Sequence, residues 1–328
     1  MRAAPTLSIP GGYQVVSGWV TQEVQTKLPA GNAKSPDCLN SNSYREIAAT
    51  THPMLSNANV SAAQAENYYE RDDYYTRGDP NQQSDSQWQG KGAAKLHLSG
   101  PVEQATFQQL LRGQTPDGKN LHGRRIDPTK HRAATDYTFS APKSVSIAAL
   151  IQKDKRVITA HDNAVRGALE VLENHYAQTR VRRGPGIRER VTTSNIIAAT
   201  FRHETSREQD PQLHTHCVVI NATQLANGKW QSISNDEALN NVKLLGEIYQ
   251  NELAHQLQKL GYEIEPQGNG TFECKGYEKP LLELFSTRSQ QIESYIERWE
   301  AALKEQGGKP LHQKQKKQAT LATRLRKK

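Results

Sequence analysis

The chain is poor in sulfur and in aromatic residues. Its 328 residues include three cysteines, two methionines and five phenylalanines, and hydrophobic residues make up only 35%. Cys38, Cys217 and Cys274 are odd in number and far apart. That spacing excludes a disulfide framework and a C-x-x-C ligand pair, and it fits a reducing cytosol. No stretch approaches the run of roughly 20 apolar residues that spans a bilayer. Met1-Arg2-Ala3-Ala4-Pro5 lacks the apolar core of a secretory signal. A G-x-x-x-x-G-K-[ST] phosphate loop is absent from the whole sequence, so neither ATPase nor helicase chemistry is expected. The low apolar content predicts a strongly solvated surface or disordered ends around one large domain or two modest ones.

Positive charge is in excess: 42 Lys and Arg against 34 Asp and Glu, a net +8. This favours a polyanionic partner. Much of it is local. Arg180, Arg182, Arg183, Arg188 and Arg190 surround Gly184-Pro185-Gly186, a turn signal within a β-ribbon pattern. A second basic cluster runs from Lys314 to Lys328.

Residues 1–53 are rich in Gly, Pro, Asn, Ser and Thr and read as a weakly ordered extension with one short strand at Tyr13–Val20. Order is expected to begin near Met54. Ser61-Ala62-Ala63-Gln64 has the form of a capping box and predicts a helix from Ser61 through Tyr68 and Tyr69 towards Asp72. Gly78-Asp79-Pro80 would stop it. A helix at about Val102 to Leu111, a strand at Asp136–Ser140, a short helix at Val145–Gln152 and an amphipathic helix at Val157–Gln178 follow. Two apolar strands, Ile196–Arg202 and Leu213–Asn221, lead to a turn at Gly228-Lys229 and a strand around Trp230. Helices over Leu239–Leu260 and Pro280–Glu305, the latter interrupted near Ser286, close the pattern.

Within this pattern the histidines carry the clearest chemistry. His214 and His216 are two apart in a strand and so share a face, about 7 Å from each other by strand rise. His203 closes the preceding strand, and an antiparallel return brings it near them. Three imidazoles on one sheet face match a divalent cation with open positions for substrate. The other histidines show no such arrangement and read as ordinary core or surface residues. Four of the 12 tyrosines fall within eight residues, as Tyr68-Tyr69 and Tyr74-Tyr75. A phenol attacking phosphorus yields a phosphotyrosine ester that conserves the phosphodiester bond energy. Such a phenol, with its ordinary pKa near 10, needs a cation or base nearby. On a continuous helix Tyr68 shares a face with Asp72 and Tyr75 but not with Tyr74.

Taken together, Met54-Leu55-Ser56, the two Tyr-Tyr pairs, Trp88-Gln89-Gly90-Lys91-Gly92-Ala93, Tyr137 to Ser146, Phe201 to His216 and Phe285 to Glu293 resemble the TrwC/TraI (MobF) class of conjugative relaxases in the HUH endonuclease superfamily. The likeness covers about residues 54–325. It implies a two-layer α+β fold, with a central antiparallel sheet covered by helices and a mobile segment closing over a DNA cleft. Residues 54–310 would be the relaxase domain. Residues 1–53 would be an extension or lie upstream of a true start at Met54, and 311–328 a basic tail opening a missing helicase region. The implied activity is metal-dependent, strand-specific nicking and re-ligation at a plasmid transfer origin, through a 5′-phosphotyrosine and a free 3′-OH. By the same resemblance Tyr68 is the first nucleophile and Tyr74 the second, with Tyr69 and Tyr75 accessory. His203, His214 and His216 would bind the metal, Mg²⁺ or Mn²⁺ before Zn²⁺. Asp136 would stand behind a ligand histidine and help take the phenolic proton. Arg207, Lys143 and the ribbon arginines would hold single-stranded DNA and the origin hairpin. Accessory DNA-binding proteins and a type IV secretion coupling protein would be partners of a cytoplasmic bacterial protein that travels with the DNA. Two alternatives stay open: a hydrolytic metallonuclease forming no covalent product, and an origin-binding module without chemistry.

Overall fold

A computed structural model describes residues 54–61, 85–122, 132–206, 208–267, 270–305, 310–312 and 315, together with the backbone of 8–9, 13–16 and 19–22. The early segment holds three short strands, β1 (Ser8–Ile9), β2 (Tyr13–Val16) and β3 (Trp19–Gln22), paired in that order. The single strand expected at Tyr13–Val20 is thus the two arms of a hairpin.

The main sheet is built from β4 (Leu55–Ser61), β5 (Ser86–Gln89), β6 (Arg132–Ser140), β9 (Ala198–Thr205) and β10 (Pro211–Ile220), in the spatial order β4-β6-β10-β9-β5. All its pairings are antiparallel. Strand β4 was not expected from the sequence; Ser61, the N-cap of the expected helix, is its last residue and pairs with Arg132. The strand is hidden in the sequence for a physical reason. Only Leu55 of β4 is buried, so an edge strand of small polar residues shows no alternation. The helix expected beyond Ser61 lies outside the described residues, as do Tyr68, Tyr69, Tyr74, Tyr75, Arg207 and the basic tail from Lys316 to Lys328.

Strand alternation gives the sheet two packed faces. One face of the sheet carries Leu55, Tyr137, Phe139, Leu213, Cys217 and Val219. It packs on three helices: α3 (Lys143–Leu150), α4 (Lys155–Val171, continued by a π turn at Leu172–Tyr176) and α6 (Val242–Lys259). The apolar stripe predicted for the amphipathic helix, Ala164, Val165, Ala168, Leu169, Val171 and Leu172, is all within this core. Gly246 lets α6 approach β4 closely, because a Cβ there would lie 3.2 Å from Leu55 Cβ.

The opposite face carries Ala134, Ile197, Ala199, Phe201, Val218 and Ile220. It is covered by α1 (Lys91–Lys95) and α2 (Gln104–Leu111) through Ala93, Phe107, Leu110 and Leu111. Phe107 meets Phe201 edge-on at 5.3 Å between ring centres. The Trp-Gln-Gly-Lys-Gly phrase is a packing device. Cβ atoms at Gly90 and Gly92 would sit 2.4 and 2.6 Å from the Ile196 carbonyl oxygen, and Gly90 also has φ +96°. Glu173 Oε1 on the π turn accepts from the N–H groups of both Lys91 and Ile196.

Between these layers and outside them lie the ribbon β7 (Gln178–Gly184) with β8 (Ile187–Thr192), the pair β11 (Thr223–Gln224) with β12 (Trp230–Gln231), and α5 (Asp236–Asn240). The pair β13 (Ile264–Pro266) with β14 (Phe272–Cys274) and the helices α7 (Lys279–Leu284) and α8 (Thr287–Glu305) follow. The break expected near Ser286 separates the last two helices.

His161 on α4 is fully buried in the helical layer. Its Nε2 lies 2.8 Å from Thr215 Oγ1 and its Nδ1 2.8 Å from the Tyr249 hydroxyl. Burial pushes its pKa down to about 3. The unfolded chain therefore takes up a proton near pH 6.5 that the folded chain refuses. The neutral imidazole contributes its stability above pH 6.5 and loses it as pH falls towards 3. His161→Gln is expected to flatten the acid limb of thermal stability between pH 7 and 4, by on the order of 3 kcal/mol. Melting curves of both proteins across that range check this; parallel acid limbs would refute it.

Candidate metal centre and nucleic-acid interface

The second face of the sheet, below its aromatic core, ends in polar residues. On β10 the alternation that buries Val218 and Ile220 continues upward to His216 and His214. On β9 it passes from Phe201 to His203, and His203 is the register partner of His214. On β6 it gives Ala134, Asp136 and Thr138, with Thr138 opposite His216. The sequence-predicted trio thus converges on one surface. Ring centres are 5.3 Å apart for His203 and His214, 5.4 Å for His203 and His216, and 5.3 Å for His214 and His216.

Each β10 histidine is anchored through Nδ1. His214 Nδ1 donates to the Gln212 carbonyl at 2.9 Å. His216 Nδ1 lies 2.7 Å from Asp136 Oδ2 and 3.0 Å from Thr138 Oγ1. Both arrangements leave Nε2 with its lone pair. Burial, and then the neighbouring His216, push the His214 pKa down to about 4, so the imidazole is neutral at physiological pH. Neutral imidazole is the form that binds cations.

The donor set suits a metal ion. Three imidazoles bonded to one tetrahedral ion at about 2.1 Å would have ring centres about 5.3 Å apart. Among the described residues, no group of three or more His, Cys, Asp and Glu side chains as they stand could hold a metal ion. Asp136 stands behind His216 as a carboxylate behind a ligand does.

Neighbouring side chains support this surface. Thr138 shares His216 Nδ1 with Asp136. Lys143, expected on DNA, commits two N–H donors inward, to the Pro211 carbonyl at 3.0 Å and Gln212 Oε1 at 2.8 Å. It thereby fixes the residue whose carbonyl orients His214. Arg202, next to His203, joins Asp162 of α4 and Asp85 before β5. Nothing local in the sequence pairs these residues, which lie 40 and 117 positions from Arg202.

The ribbon places its five arginines on exposed strands around a turn in which Gly186 has φ +74°. Arg180 and Arg190 share Asp236, Arg190 also reaches Glu237, and Arg183 pairs with Glu189. Arg182 donates to the Gly184 carbonyl. Arg188 makes no ion pair among the described residues. Exposed pairs of this kind contribute little and yield readily to phosphate.

A family model described as TrwC relaxase matches residues 62–328. The chain belongs to the TrwC relaxase family. Among relatives, it is 44% identical over 255 residues to a multifunctional conjugation protein TraI of Escherichia coli. That match takes in 74% of this chain and 14% of TraI, so the chain spans about one-seventh of this relative's length. Among solved structures, it is similar to a conjugative relaxase TrwC in complex with oriT DNA in a metal-bound form, with TM-score 0.72 and 40% identity over 84% of this chain and 92% of that one. A TrwC complex with a 27-mer DNA comprising the recognition hairpin and the cleavage site matches with TM-score 0.71 and 38% identity, at the same coverage. The central antiparallel sheet with helices on both faces is the TrwC relaxase fold, as the resemblance implied.

Proposed function

We propose that this chain is the relaxase region of a conjugation protein, nicking and rejoining one strand of transfer-origin DNA through a tyrosine ester. The observation that carries the reading is the trio of imidazoles on one sheet face, with Asp136 behind His216. The relatives' association with conjugation, oriT DNA and a bound metal supports it.

In this reading His203, His214 and His216 hold a divalent ion, Mg²⁺ or Mn²⁺ before Zn²⁺. When bound, it polarises the non-bridging oxygens of the scissile phosphate. Asp136 keeps His216 in the tautomer that presents Nε2, and it draws the phenolic proton as the nucleophile engages. The Tyr68 oxygen forms a bond to phosphorus, the bond from phosphorus to the 3′ oxygen breaks, and that oxygen takes up a proton as the free 3′-OH. The ester resembles the original bond in energy, so the reaction runs in both directions. Tyr74 serves a second strand transfer, with Tyr69 and Tyr75 beside the two nucleophiles. Arg207 and the arginines of β7 and β8 hold phosphates of the single strand and the hairpin, with Lys143 steadying the metal surface from beneath. Accessory DNA-binding proteins and a secretion coupling protein complete the assembly in the cytoplasm. No helix among the described residues is long and apolar enough to cross a membrane.

The test is denaturing gel electrophoresis of a supercoiled or single-stranded origin substrate with the protein and Mg²⁺ or Mn²⁺. A shifted, protease-sensitive covalent product supports the proposal; scission without an adduct points to a hydrolytic nuclease. Asp136→Asn is expected to lower metal affinity and nicking by roughly 10- to 100-fold while leaving DNA affinity unchanged. Titration calorimetry with Mn²⁺ alongside the nicking assay measures both, and an unaltered metal affinity would remove Asp136 from this role.

A further inference from the structure

At the other end of the sheet from the histidines, a cavity of about 650 Å³ opens at the root of the ribbon. That volume lies in the range of small-ligand sites. Arg132, Arg180 and Arg188 line it with Trp230, His122 and Asp236. Arg132 opens β6, six residues before Thr138, which pairs with His216. The cavity is therefore about 20 Å along the strand from the trio.

The lining has the chemistry of a nucleotide site. Arg132 is held by Asn221 Oδ1 at 2.7 Å, the Ile233 carbonyl at 2.6 Å and Asn235 Oδ1. Every one of these partners is neutral, so no contacting carboxylate cancels its charge. Arg188 has no ion pair among the described residues, and Arg180 shares its carboxylate, Asp236, with Arg190. Cations outnumber anions around the opening. Trp230 packs partly on the second core while also lining the cavity, which gives a fixed aromatic wall. A phosphate needs the first feature and a base the second.

We propose that this cavity receives one nucleotide of the DNA carried on the ribbon, its base stacked on Trp230 and its phosphate against Arg132, Arg180 and Arg188. The proposal rests on the DNA-processing reading above and adds a base-recognising pocket, remote from the metal centre, at which the strand is registered before it reaches the histidines.

Fluorescence anisotropy of the full chain with two labelled probes tests it: an oligothymidylate and an abasic tetrahydrofuran oligomer of equal length. Trp230→Ala is expected to weaken oligothymidylate binding roughly ten-fold and leave the abasic oligomer unaffected. Trp230→Phe keeps an aromatic face and retains most of the affinity. Ser234→Phe, which places a ring in the cavity while leaving Trp230 and the arginines in the sequence, reproduces the selective loss if Trp230→Ala folds poorly. Arg188→Gln weakens both oligomers alike, as removal of a phosphate contact does. Equal losses on both oligomers with Trp230→Ala and Ser234→Phe, or no loss on either, overturn the pocket while DNA binding stands. Failure of the unsubstituted chain to bind either oligomer overturns the DNA reading itself.

Discussion

Tyr68→Phe is expected to abolish the covalent protein–DNA product and to lower nicking of the origin strand by at least about three orders of magnitude, as deletion of a nucleophile does elsewhere. The substitution removes one oxygen and preserves the ring, so packing and DNA affinity should hardly change. The nucleophile must be a phenol for the product to be a stable, reversible ester; water delivered to the same phosphorus would give hydrolysis. The two chemistries separate cleanly. In a hydrolytic nuclease the tyrosines only pack, and Tyr68→Phe would cut DNA at the normal rate with no adduct before or after the change. In an origin-binding module neither protein would cut. Tyr74→Phe provides the internal comparison: first-strand cleavage should persist, with the loss confined to a second transfer. A Tyr68→Phe protein that still forms the adduct at the wild-type rate would move the nucleophile to Tyr69 or Tyr74. A mass shift on a single tyrosine peptide after incubation with origin DNA and metal locates it.

The legible parts of this protein are those in which one pattern governs a whole element. On β10, alternation places His214 and His216 with Val218 and Ile220 on one face and Leu213, Cys217 and Val219 on the other. That pattern is readable because both faces of the strand are covered. The stripe on α4 is readable for the same reason. Strand β4 was not, since it contributes one buried side chain to the core, Leu55, and most of its other residues are exposed. Pairing with β6 decides its conformation, and β6 begins more than seventy positions away. The site shows the same division. Spacing alone brings His214 and His216 together. The link from Asp136 to His216 spans 80 positions and is expected only through family likeness. His161 read as an ordinary histidine because its partners, Thr215 and Tyr249, lie 54 and 88 positions off. The inward turn of Lys143 depends on where β10 starts relative to α3, which no local pattern records.

His214→Ala should remove metal-dependent cleavage while sparing DNA binding. His214 and His216 have their Nδ1 atoms tied down, to the Gln212 carbonyl and to Asp136. Those bonds restrain both rings. Losing His214 leaves His203 and His216, too few nitrogens to compete with water for Mg²⁺ or Mn²⁺. The fall in metal affinity should exceed the roughly 10- to 100-fold that loss of a supporting carboxylate costs. Nicking should fall further than affinity, because the scissile phosphate loses the charge that offsets its developing negative oxygens. DNA affinity measured in chelator should stay within about a factor of three, since in the proposed arrangement most phosphate contacts come from the ribbon. Raising the Mn²⁺ concentration should restore part of the nicking in His214→Ala and none in Tyr68→Phe, which separates a ligand from a nucleophile in one titration. If His214→Ala nicks normally at low metal concentration, the imidazole trio does not hold the ion, and the reading of this sheet face as a metal centre falls.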